Sequence, residues 1–160
     1  MKKIMLALVA ITMTLTAFAQ DGKSLYLKYS DLQGVQAVYI SPAMFRMIGR
    51  IPDMEVGEDN VNVAPIIQSM NGFYLLSTED PNIAKDLYAE ADKYVKKGKY
   101  ELMLEAKDDG DATRIYTVGT EDIVTGFVML ARDGTETSFI AIDGKMQRDK
   151  LEDIIAGAAK

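Results

Sequence analysis

Residues 100–143 read YELMLEAKDDGDATRIYTVGTEDIVTGFVMLARDGTETSFIAID, and this stretch decides the fold. It divides into four runs rich in β-branched and aromatic residues, at 100–107, 113–118, 123–132 and 137–143. The links are Asp108-Asp109-Gly110-Asp111, the segment Gly119 to Asp122, and Asp133-Gly134. Short acidic and glycine-containing links between strand-like runs are hairpin signals, so the stretch predicts an antiparallel meander. In the third run Val124, Val128 and Leu130 fall on one side by strict alternation, and Phe127, Met129 and Ala131 on the other. That strand is apolar on both faces, so both faces of the sheet demand an explanation.

Upstream, the pattern alternates between helix and strand. Leu25, Tyr29 and Leu32 are spaced for one face of a helix over 23–32, which Gly34 ends. Val35 to Ile40 reads as a strand. Ser41-Pro42 opens a helix, with serine as N-cap and proline at the first helical position. Met44, Phe45 and Ile48 form its apolar side. An acidic loop over 53–60 leads to a short helix over 63–70, and Phe73 to Thr78 is a second strand. Asp80-Pro81 caps the longest helix, Pro81 to Lys97, whose Ile83, Leu87, Ala91, Tyr94 and Val95 share one face. Lys93, Lys96 and Lys97 suit its negative end, and Gly98 closes it. A last helix over 147–159 carries Leu151, Ile154, Ile155 and Ala158 on one side. The order predicts one α+β domain: a largely antiparallel sheet of about six strands with helices packed on it.

The beginning of the chain has a different character. Lys2 and Lys3 precede an apolar run from Ile4 to Thr16, and Ala17-Phe18-Ala19 is a small-residue cleavage pattern. This is the layout of a secretory signal peptide over 1–19, so residues 20–160 form the mature, periplasmic or secreted domain. The run is shorter than the roughly 20 residues of a spanning helix, so no stable membrane anchor is expected. The 18 basic residues, less the two in the leader, stand against 24 acidic ones, for a mature net charge of −8. An acidic surface repels phosphate backbones, and nucleic acid is not an expected partner.

Two absences narrow the chemistry. The chain has no cysteine, so disulfides, thiolate metal sites and cysteine nucleophiles are excluded. It has no histidine, which removes the commonest general base and a leading metal ligand. Carboxylate, lysine and tyrosine chemistry remain. Glu101 and Glu105 share a strand face at i and i+4, roughly 13 Å apart by strand rise, too far for a glycosidase pair. The acidic turn at 108–111 lacks EF-hand order, its glycine standing third instead of sixth, and reads as a solvated hairpin turn. Glu55, Glu58 and Asp59 read as a surface loop. No catalytic residue, metal site or cofactor is assigned.

Lys28-Tyr29-Ser30-Asp31, Gly34-Val35 and Val38-Tyr39-Ile40-Ser41 resemble the opening of one family of exported bacterial proteins. Tyr100-Glu101-Leu102-Met103 and Phe139-Ile140-Ala141-Ile142-Asp143-Gly144 continue the likeness. The family is the uncharacterised domain of unknown function 4252 family, and the resemblance extends over nearly the whole mature chain. It implies a small envelope protein of Gram-negative bacteria, with a suggestion of envelope signalling. It supplies no active site to carry over.

The expected function is therefore a non-enzymatic binding or protein-interaction domain with a partner in the envelope. The alternative is a small envelope enzyme working with carboxylates and tyrosines. The expected interaction surface is the second sheet face, with Phe127 and Met129 joined by Met103, Tyr116 and Phe139. An exposed aromatic and methionine-rich patch marks an interaction site. The competing expectation is that the short helices near Met44 and Ile66 cover that face as ordinary core.

Overall fold

The computed structural model describes residues 22–48, 55–56, 61–62 and 64–152. The leader over 1–19, Glu58 and Asp59, and the last helix beyond Glu152 lie outside the described residues. The order is α1 (Gly22–Tyr29), β1 (Val35–Ile40), α2 (Pro42–Ile48), β2 (Glu55–Val56), β3 (Val61–Asn62), α3 (Ala64–Ser69), β4 (Met70–Thr78), α4 (Pro81–Lys97), β5 (Glu101–Asp108), β6 (Asp111–Gly119), β7 (Ile123–Asp133) and β8 (Glu136–Gln147). Six strands form one antiparallel sheet in the order β1-β4-β8-β7-β6-β5. The architecture is the α+β domain that the sequence predicts. β2, within the segment read as an acidic loop over 53–60, pairs antiparallel with β3 just beyond it as a separate two-stranded sheet.

The meander β5–β8 follows from its turns. Asp109 and Gly110 both take positive φ, +42° and +96°, which closes β5 onto β6 in two residues. β4 then pairs with β8 and β1 with β4, so the chain leaves β4 and must cross most of the sheet to begin β5. α4 makes that crossing. Its 17 residues span about 25 Å, and six strands span roughly 24 Å. Asp80 caps it, its carboxylate accepting from the backbone N–H groups of Asn82 and Ile83 at 2.9 and 3.0 Å. Ser41 caps α2 similarly, accepting from Met44 N–H at 3.3 Å.

The main core lies between one sheet face and the pair α1 and α4. Leu87, Ala91, Tyr94 and Val95 of α4 and Leu25 and Tyr29 of α1 meet Tyr74, Leu76, Tyr116, Val128, Leu130, Phe139 and Ala141 of the sheet. Tyr94 stands edge-on to Phe139, with ring centroids 5.9 Å apart. Gly22 lets α1 lie directly on β8, because a Cβ there would approach that of Ala141 to 2.5 Å. Tyr29 is buried and donates to Asp86 Oδ2 at 2.5 Å, tying α1 to α4. α1 ends at Tyr29, so Leu32 leaves the helical face and is exposed.

A second, smaller cluster joins Ile66 of α3 to Val124 and Met146, with Met70, Phe127, Ile142 and Leu151 packed against it. This corrects the alternation expected in β7. The register between Val124 and Gly126 is shifted, and Val124 packs with the cluster that Phe127 borders instead of with Val128 and Leu130.

Candidate interaction face

Pairing register assigns every strand residue to one of two faces. Leu130 pairs with Phe139 and Val128 with both Ala141 and Tyr116, and all of these belong to the core under α4. The opposite face carries the residues between them. Across it runs a row of six apolar side chains, one from each strand. Val38 pairs with Leu75, Leu75 with Ile140, Ile140 with Met129, Met129 with Ile115, and Ile115 with Leu104. The ends of the row are exposed, Val38 at 45% and Leu104 at 47%, and the four middle residues are half-buried.

The rows on either side differ in kind. Gln36, Ser77, Ser138, Ala131, Thr113 and Ala106 form the polar neighbour. There the Ser77 and Ser138 hydroxyls lie 3.0 Å apart and both donate to the Glu136 carboxylate. On the other side stand Ile40, Phe73, Ile142, Phe127, Thr117 and Glu101. α3 reaches this row through Ile66, against Phe127 and Ile142. The helix near Ile66 thus covers one corner of the face, while Met44 of α2 is 43% exposed.

The five residues expected to form one surface are therefore divided. Phe127 and Met129 do share the second face. Tyr116 and Phe139 do not join them: both point under α4, 8% and 0% exposed. Met103 sits on edge strand β5 where the register shifts between Leu102 and Leu104, half exposed and without a cross-strand partner in register. Val38, Leu75, Ile115, Ile140 and Leu104 carry the face instead. Each lies in a strand recognised from the sequence, but the face it takes is set by the registers of the six strands together.

The same β5 irregularity disposes of the carboxylate pair. Glu101 pairs with Thr117 on one face and Glu105 with Arg114 on the other, so the two acids do not share a side as strict alternation requires. Glu105 is engaged by Lys107 and Arg114 at 3.1 and 2.7 Å, and these partners, Lys107 first, hold its carboxyl below the ordinary range. A carboxylate so held is a poor general acid. The turn at 108–111 works as a hairpin brace: Asp111 Oδ1 accepts from Gly134 N–H at 2.7 Å, and Gly110 carbonyl accepts from Arg132 at 2.9 Å. Among the described residues no group of three or more metal-ligating side chains is gathered.

No curated protein and no solved structure matches this chain. The sequence does match the family model described as Domain of unknown function (DUF4252) over residues 29–154, a span that runs from the end of α1 past the end of β8. The protein belongs to the DUF4252 family.

Proposed function

We propose that this protein is an exported, non-enzymatic binding domain that acts by docking an envelope protein partner on its second sheet face, in a setting of envelope signalling. The observation that supports this is the in-register row Val38–Leu75–Ile140–Met129–Ile115–Leu104. A half-exposed aliphatic side chain gains on the order of 1 kcal/mol on full burial, so a row of six is a substantial driving force for association. The row is bordered by polar residues on one side, the usual anatomy of an interface core and rim. Methionine at its centre suits adaptable contact.

The test is a capture experiment from envelope extract with wild-type bait and a bait carrying Leu104→Asp and Met129→Asp. These two positions are chosen over Phe127, which packs on Ile66 and supports the fold. One partner retained by wild type and lost by the folded double variant agrees with the reading. Equal capture by both baits contradicts it.

A further inference from the structure

The main sheet ends in two edge strands, and they are built differently. β5 carries Glu101, Glu105, Lys107 and Asp108, and its register shifts between Leu102 and Leu104. Charges and bulges are the devices that keep a sheet edge from pairing with another strand. β1 has neither. Its sequence is VQAVYI, without charge, glycine or proline, and every residue of it pairs with β4 in unbroken register. Among the described residues no strand lies on its outer side.

The registers decide which backbone groups face that outer side. Asp133 and Glu136 flank a two-residue turn and form a mutually bonded pair. Bonded and non-bonded pairs alternate along antiparallel strands. Carried across β8 and β4, the alternation turns the N–H and C=O groups of Gln36, Val38 and Ile40 towards β4. Those of Ala37 and Tyr39 point outward. The Val35 N–H points outward as well, and there it donates to the Leu32 carbonyl at 3.2 Å. The turn after α1 thus closes the edge at Val35 and leaves it open over residues 36–40.

We propose that a second copy of this chain occupies the open edge, β1 pairing antiparallel with its own copy about Val38. In that register Ala37 lies opposite Tyr39 of the second copy, and the outward N–H and C=O groups of both residues are satisfied. Gln36 lies opposite Ile40. Two features of β1 suit a second copy. Self-pairing sets like charges together, and β1 has no charge to repel its duplicate. Val38 is also the exposed end of the apolar row, and on the same face it meets Val38 of the second copy. The row then runs unbroken through two six-stranded sheets. On the helix-covered side Tyr39, exposed and stacked on Tyr74 with ring centroids 5.3 Å apart, stands beside the small Ala37. The pairing goes beyond the docking face, since it consumes the edge of β1 and leaves that face open; either stands without the other.

The chain has no cysteine, so a single introduced thiol reports on a single position. Val38 and its duplicate form a non-hydrogen-bonded pair with Cα atoms about 4.5 Å apart, inside disulfide reach. Gln36 and its duplicate are offset along the strands by roughly 13 Å, outside that reach. Both side chains are exposed, so neither substitution disturbs the core. The experiment oxidises purified Val38→Cys and Gln36→Cys chains with diamide and sediments the wild-type chain, each at roughly 100 μM, where a micromolar dimer is mostly formed. The expected results are a wild-type dimer in sedimentation, a covalent dimer as the main product of Val38→Cys, and about tenfold less from Gln36→Cys. A monomeric wild type, no covalent dimer from Val38→Cys, or equal yields from the two variants overturns the proposal and leaves the edge to a strand from another protein.

Discussion

At the scale of single residues, polar side chains in this protein are either spent on structure or conspicuously unspent. Ser41 and Asp80 are spent, and both roles are readable in the sequence because a cap is a local event. Asp80→Ala is expected to cost about 1 kcal/mol in urea unfolding, with no change in the open face. Tyr29 is spent too. Burial first, then the hydrogen bond and negative charge of Asp86, push its phenol well above the ordinary tyrosine range. The proton is therefore held more tightly in the folded chain. Its stabilising effect is complete below the ordinary value of about 10 and fades as pH rises above it. Stability measured from pH 8 to 11 should decline, and Tyr29→Phe should flatten that decline. Thr117 is the opposite case. Its unpartnered hydroxyl destabilises the fold, so Thr117→Val is expected to raise unfolding stability by about 1 kcal/mol. A loss of stability would mean that the hydroxyl is satisfied within the fold. Nothing in the sequence marks Thr117, because its burial is created by the strands paired on either side of it, through Glu101 and Phe127, not by its neighbours in the chain.

At the scale of elements, the six strands of the main sheet and the apolar face of α4 were legible, but not every strand face. β8 runs to Gln147, four residues beyond the run read as ending at Asp143. Gly144 does not end the strand. It lets the junction of α3 and β4 approach, since a Cβ there would meet the Ser69 carbonyl oxygen at 2.6 Å and the Met70 Cα at 3.0 Å. The side of Phe139 was in fact readable: a two-residue turn pairs it with an even-numbered residue of β7, among Val128 and Leu130, under α4. The side of Tyr116 was not. The register slips between Val118 and Gly119, and each slip exchanges the faces of all residues beyond it. The shifts at Leu102/Leu104 and Val124/Gly126 do the same for Glu101 and Val124. The face assignment predicts a contrast in stability. Phe139→Ala should cost about 3–5 kcal/mol, the price of a core aromatic, and Met129→Ala less than about 1 kcal/mol. Comparable losses at both positions would show the second face to be core as well.

At the scale of the whole molecule, the sheet is asymmetric in what it carries. One face is committed to α1 and α4 and makes the domain stable. The other presents an apolar row at the strand positions where a chain with only this first core would place polar residues. The sequence shows the symptom in β7, a strand apolar on both sides, yet the row itself is a property of six registers together. That is why two of the five residues expected on the surface belong to the core, while Val38, Leu75, Ile115, Ile140 and Leu104 were passed over. The central claim is that this row is a docking surface, and site-specific photo-cross-linking in the intact envelope tests it most directly. Cross-linking residues would be placed singly at Leu104 and Met129 on the row and at Lys85 on the exposed side of α4. The account predicts one discrete protein adduct from both row positions and none from Lys85. Adducts absent from the row, or the same from all three positions, would contradict it.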